Sequence, residues 1–163
     1  MRERRSNLGL TVSATTRAPR WRGRWRQLLF LTREEFDRRV ANGEFVEWAE
    51  VHGNCYGTLV SEVTSKLASG ASLILEIDVQ GALQVKERFP EAVLIFIKPP
   101  SLEVLRERLV GRGTETPETI ELRMANAADE LALADRYDEV VVNDDLDRAT
   151  DELVRVLDMH ERI

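Results

Sequence analysis

Between positions 13 and 20 the chain reads Ser13-Ala14-Thr15-Thr16-Arg17-Ala18-Pro19-Arg20, three hydroxyls and two guanidiniums behind a short apolar run at 8–12. Hydroxyls and forked guanidiniums are the groups that grip a phosphate, because they supply several charge-assisted donors at once. Glu76 and Asp78 flank a single apolar residue at the end of an apolar run. Period-two geometry puts both carboxylates on one face, where they accept donors from a base or hold Mg²⁺ through water. A helix cap beside a surface acid explains the same two residues. Arg108, Arg112 and Arg123 surround the break Gly111-Arg112-Gly113. They suit a mobile clamp on transferred phosphate. With Glu103, Glu107, Glu118 and Glu121 close by, a solvated, charge-rich helix pair is the simpler reading of that spacing. Glu47, Tyr56 and Thr58 flank a turn and offer a base acceptor, a phenol and a hydroxyl; on their own they also fit a strand-loop-strand with an aromatic in the core. His52 and His160 are isolated, and no metal is assigned to them.

These residues need a scaffold, and the pattern of elements supplies one. Residues 8–13 read as a strand. Thr32-Arg33-Glu34-Glu35 opens a helix as a capping box, with Thr32 as cap and Glu35 as its reciprocal partner, and Gly43 stops it. Residues 45–51 look extended, Gly53-Asn54 turns, and residues 61–68 look helical up to Gly70. Residues 73–77 and 92–97 are buried-type strands, nearly continuous in apolar side chains, separated by a helix at 81–88. Ser101 caps a helix reaching about 110, and Thr116-Pro117-Glu118 starts a longer one with proline at its first position. Residues 139–142 form a third buried strand, and Asp144-Asp145 opens a last helix. Strands alternating with helices imply an α/β fold on a parallel sheet. Ligands of such folds lie at the carboxyl ends of the strands, where Glu76-Ile77-Asp78 and Asn143-Asp144-Asp145 fall.

The 163 residues suit one domain, with 43 % hydrophobic residues for a core and 32 % charged residues for a soluble surface. The net charge of −6 is uneven: residues 1–30 carry +7 and the remainder −13. The lone cysteine, Cys55, allows no internal disulfide and fits a reducing compartment. Residues 1–10 are charged and lack an apolar signal core, and no apolar run is long enough to cross a membrane. The chain reads as cytoplasmic, with no membrane partner.

Taken in order, these segments resemble guanylate kinases. The resemblance rests on Ser13 to Arg20, Glu47-Trp48-Ala49-Glu50, Tyr56-Gly57-Thr58, Glu76-Ile77-Asp78-Val79-Gln80-Gly81, the run from Arg108 to Thr116, and Val142-Asn143-Asp144-Asp145. It covers nearly the whole chain except residues 21–29. It implies an α/β, P-loop kinase-like domain over 1–163, with a parallel sheet core and helices on both faces. A small mixed GMP-binding lobe near 14–71 and a helical lid near 111–125 complete it. It implies transfer of the ATP γ-phosphoryl group to GMP with Mg²⁺, giving GDP and ADP, in purine nucleotide metabolism. By the same resemblance Ser13, Arg17, Arg20 and Tyr56 contact the GMP phosphate, and Glu47 and Thr58 contact guanine. Asp78 is a further acid of the nucleotide site, and Glu76 stands where the family often has Asp. Arg108, Arg112 and Arg123 neutralise the migrating phosphoryl, with Arg20 beside them, and Asn143 lies near the adenine.

Two departures qualify that expectation. The family's phosphate loop, Gly-x-x-x-x-Gly-Lys-Ser, is not in the sequence: the lysines are Lys66, Lys86 and Lys98, and none follows a glycine. The chain is therefore expected to be impaired in ATP handling. The position of Met1 inside an apparent helix end favours a mis-assigned start codon. Kinase-like domains that have lost this loop serve as protein-interaction modules, the alternative function. Second, Trp21 to Leu29 replaces the family's Pro-Gly-Glu-x-x-Gly-x-x-Tyr-x-Phe. Codons can be chosen for that stretch which, read one base later, restore a family-like segment, so it reads as a local frameshift. Arg alternating with Trp there also suits stacking along a nucleic acid, but the genetic origin is simpler, and no nucleic-acid partner is expected.

Overall fold

The computed structural model describes residues 8–19, 28–113 and 115–160. They divide between two compact units, one ending at Ala92 and the other beginning at Val93. Arg20 and residues 21–27 lie outside the described residues, and with them the frameshift and basic-arm readings.

In the first unit the apolar run expected as one strand is two. β1 (Leu8–Leu10) pairs in parallel with β6 (Ser72–Ile74), while β2 (Ser13–Thr15) enters a separate sheet. Helix α2 (Val60–Leu67) takes up the backbone groups at the crossing. Glu62 Oε1 accepts from the Val12 amide at 2.8 Å, Lys66 Nζ donates to the Leu10 carbonyl at 2.6 Å, and the two side chains pair with each other. Each buried backbone donor and acceptor that leaves a ladder needs such a substitute.

The second sheet has the order β3-β2-β5-β4, with β3 (Leu29–Phe30), β4 (Phe45–Val51) and β5 (Asn54–Leu59). β4 and β5 form a hairpin in which Val51 faces Asn54 across His52 and Gly53. Both intervening residues have positive φ, 52° and 76°, as two-residue hairpin loops require. The turn thus falls one residue earlier than the sequence suggests. Helix α1 (Arg33–Ala41) covers one face and buries Phe36. Phe36 stacks on Phe45 at 4.5 Å and meets Trp48 edge-on at 6.4 Å. Ala14 and Cys55 complete this core, bordered by Leu31, Val40 and Leu59. Gly57 belongs to it by lacking a side chain: a Cβ there would lie 2.7 Å from the Phe45 ring. Thr32 caps α1 as expected, accepting from the Glu35 amide at 3.1 Å. Glu35 does not reciprocate, because Arg38 and Arg39 hold its carboxylate at 2.6 and 2.8 Å. Helix α3 (Val79–Arg88) follows β6, capped by Asp78.

In the second unit β7 (Ile95–Lys98) pairs in parallel with β8 (Glu139–Val142). Helices α4 (Leu102–Gly111) and α5 (Pro117–Leu131) are capped by Ser101 and Thr116 as the sequence predicts. Arg106 grips Glu121 through two hydrogen bonds of 2.6 and 2.9 Å, tying α4 to α5. A 3₁₀ turn (Ala134–Arg136) precedes β8, and α6 (Leu146–His160) ends the described chain. Strands alternating with helices and parallel pairing in both units make this an α/β fold, as read from the sequence. The strands expected at 73–77 and 92–97 are shorter than predicted, at Ser72–Ile74 and Ile95–Lys98.

Candidate functional site

One irregularity in β4 decides what the first unit can bind. Phe45 faces Leu59 and Glu47 faces Thr58, so Val46 is an extra residue bulged out of the ladder. In a regular strand residues 45 and 47 would share a face. The bulge breaks that parity, leaving Phe45 on the side of α1 and turning Glu47 to the opposite face. Thr58 also faces Ser13 of β2. Ser13, Thr58 and Glu47 therefore form a rank across three strands, since residues directly opposite project to the same side. Two residues along, Thr15 faces Tyr56, extending this polar face.

Glu47 is 3 % exposed and Thr58 fully buried. Burial pushes the Glu47 carboxyl up to about 7, with the Asp78 charge adding to it, while Thr58 pulls it back. Thr58 does so from the facing strand, through its hydroxyl and its backbone. Even so, Glu47 Oε1 and Thr58 Oγ1 are both buried with no well-aligned hydrogen-bond partner. Buried polar atoms are normally satisfied, so this pair is built for something that completes it. A titrating carboxyl beside an unused hydroxyl can receive a flat edge carrying N–H donors, with the hydroxyl serving an adjacent atom.

Helix α3 closes the other side of the carboxyl. Asp78 Oδ1 accepts from the amides of Gln80 and Gly81 at 2.8 and 3.2 Å. The Glu47 carboxyl lies against Gly81, with its Cδ 3.1 Å from where a Cβ would stand. Gln84 brackets Trp48 on the open edge of β4, accepting from its amide at 3.1 Å and donating to its carbonyl at 2.7 Å. Arg88 Nη1 donates to the Phe45 carbonyl at 3.0 Å. Sequence reasoning missed Gly81 and Gln84 as individual contributors. The available signal was a glycine in the first turn of a helix just after an acid cap.

The remaining candidates fall as follows. The Arg17 amide donates to Thr15 Oγ1 at 3.1 Å, and its side-chain Nε is buried without a partner, a donor suited to an anion. Residues 75–78 lie outside regular strand, so the period-two argument for Glu76 and Asp78 does not operate there. Asp78 is the helix cap and comes close enough to influence Glu47, while Glu76 is exposed. In the second unit Arg108 donates to the carbonyls of Asn143 and Asp144 at 2.8 and 3.1 Å, so these two candidates do meet. Arg112 is exposed at the end of α4. Arg123 Nε lies 2.9 Å from Glu115 Oε2, a charge contact without hydrogen-bond alignment. Burial pushes the Cys55 thiol up, which keeps it un-ionised and inert. Among the described residues no group of three His, Cys, Asp or Glu could hold a metal ion, and no helix is long and apolar enough to cross a membrane.

A sequence profile of the family described as guanylate kinase matches residues 1–160. A guanylate kinase of Gloeobacter violaceus is 53 % identical over 158 residues, 96 % of this chain and 77 % of that protein. One from Rubrobacter xylanophilus is 48 % identical over 92 % of this chain and 79 % of its own length. The crystal structure of guanylate kinase from Anaplasma phagocytophilum matches with a TM-score of 0.78 at 37 % identity, covering 94 % of this chain and 76 % of that one.

Proposed function

The chain belongs to the guanylate kinase family, a family of nucleoside monophosphate kinases, and from that premise we propose that it binds GMP on the polar face of the first unit for phosphorylation by ATP. The observation that carries this reading is the buried, unpartnered pair Glu47 Oε1 and Thr58 Oγ1. Guanine offers N1–H and a 2-amino group side by side, two donors for one ionised carboxylate, with the Thr58 hydroxyl serving a neighbouring ring atom. Adenine has an acceptor at N1 and no 2-amino group, so it would leave the carboxylate buried and unsatisfied, which is the expensive outcome. Ser13, Arg17, Arg20 and Tyr56 take the phosphate of GMP in this reading, with Asp78 and Glu76 lining the nucleotide site.

In the reaction a phosphate oxygen of GMP attacks the γ-phosphorus of ATP. The new P–O bond forms as the bond to the ADP oxygen breaks, and positioning and charge neutralisation do most of the work. Arg108, Arg112 and Arg123 supply positive charge to the migrating group, and Asn143 lies toward the adenine of ATP. The described residues build no cage for Mg²⁺; the ion fits the reaction as a companion of the ATP phosphates, and no side chain here is assigned to it. In this reading residues 14–71 act as the GMP-binding lobe and residues 111–125 as the lid. The cytosol fits this chemistry.

The 163 residues contain no Gly-x-x-x-x-Gly-Lys-Ser loop, and we infer that they capture ATP poorly without one. Coupled ADP release with GMP and ATP should stay near background for this chain and rise when a segment carrying that loop is supplied ahead of residue 1. GMP binding by titration calorimetry should exceed AMP binding in both forms. Robust turnover by the 163 residues would overturn the inference about ATP, and equal affinity for GMP and AMP would overturn the guanine reading.

A further inference from the structure

We infer that helix α3 is the positioning element for the base-reading carboxyl of Glu47, with Gly81 leaving room for it and Gln84 fixing its height along β4; this rests on the guanine reading proposed above. Gly81, Gln84 and Arg88 recur at the three- and four-residue spacing that puts them on one stripe of the helix. Each meets β4 at a different level: Gly81 at the Glu47 carboxyl, Gln84 at the Trp48 amide and carbonyl, Arg88 at the Phe45 carbonyl. Gln84 thus supplies an edge strand with the donor and acceptor a neighbouring strand would offer. It holds helix and strand in one register, beside the very residue that reads the base.

Gly81 then becomes specific. A methyl group there would run into Glu47 Oε2, with Cδ at 3.1 Å. The atoms that must yield are the end of one side chain rather than backbone, so the fold can absorb the change. The carboxyl cannot absorb it and stay in place. Alanine is also a better helix former than glycine. Gly81→Ala is thus expected to leave the protein as stable as before, or more so, while moving the group that recognises the base.

The test is titration calorimetry of the full chain with GMP and with IMP, which lacks only the 2-amino group. Unfolding midpoints of the same proteins are measured alongside. The unaltered chain should prefer GMP. Gly81→Ala should lose about tenfold in GMP affinity, the scale of one charge-assisted hydrogen bond, and bring the GMP-to-IMP ratio close to one without lowering the midpoint. Gln84→Met, which keeps the length and loses both hydrogen bonds, should reduce the ratio in the same direction. Combining Gly81→Ala with Glu47→Asp, which withdraws the carboxyl by one methylene, should restore part of the preference. General loosening of the unit would weaken GMP and IMP alike and leave the ratio intact, and that result overturns the role given to α3. If the unaltered chain itself does not distinguish GMP from IMP, the guanine reading fails first and this inference with it. If the chain distinguishes them and both α3 variants do too, only this inference fails.

Discussion

A carboxyl at 3 % exposure with an unpaired oxygen makes the empty protein sensitive to pH in an unusual direction. Most carboxylates are held below their solution value by partners and favour the fold at higher pH. Glu47 is raised by burial from 4.5 to about 7, so the folded state binds its proton more tightly than the unfolded chain does. Its contribution is fully present below pH 4.5 and is lost as pH rises through 7, a change on the order of 3 kcal/mol. Thermal unfolding without nucleotide should therefore show a falling contribution from Glu47 across that window, and Glu47→Gln should flatten it. Guanine binding as proposed would run the other way, since only the ionised form accepts two N–H donors. GMP affinity should rise from pH 6 to pH 8 in the unaltered chain, partly because its phosphate also loses a proton near about pH 6, and Glu47→Gln should lose the part of that rise due to the carboxyl together with most of the affinity. A Glu47→Gln protein that binds GMP normally with the same pH profile would remove Glu47 from the recognition of the base.

At the scale of elements, the parts written in local chemistry were legible and the parts written in register were not. Thr32, Ser101 and Thr116 announce three helices and cap all three, because an N-cap needs only its own first turn. Replacing Thr32 by Ala should cost about 1 kcal/mol of stability and leave the preference for GMP over IMP unchanged, which a denaturation curve and a titration together check. The reciprocal half of that capping box failed because Arg38 and Arg39, one turn on, compete for Glu35 with full charges. The strand expected across 8–13 breaks because Glu62 and Lys66, some fifty residues away, capture its backbone. β5 carries Asn54, Tyr56 and Thr58 among its six residues, with no apolar run to announce it. Glu47 and Thr58 were legible as candidates by resemblance. Their meeting with Ser13 in one rank follows from a bulge at Val46, an apolar residue that looks the same in either register.

For the whole molecule, ligand binding and stability are one measurement. A nucleotide that binds only the folded state at a hundredfold excess over its Kd adds about 2.7 kcal/mol. If GMP sits on the rank of Ser13, Thr58 and Glu47, slowed amide hydrogen exchange should concentrate in β2, β4, β5 and the first turn of α3, all within the first unit. GMP-induced protection confined to α4 and α5 would move the site elsewhere. The −13 carried by residues 31–163 against +7 in residues 1–30 adds a second global observable. Loss of GMP affinity with added salt should be steep if Arg17 and Arg20 both face the phosphate, and Arg17→Gln should make it shallower.

The bulge at Val46 also determines which changes of length this protein can survive. Insertions at Asn42 and Gly43, exposed between the end of α1 and the start of β4, alter mainly the length of a connection. Deleting Val46 would close the bulge and leave a regular ladder in which Phe45 still faces Leu59 and Glu47 still faces Thr58, on opposite faces of the sheet. Among descendants of this sequence, loss of Val46 should therefore be tolerated far better than loss of Phe45, whose ring stacks on Phe36.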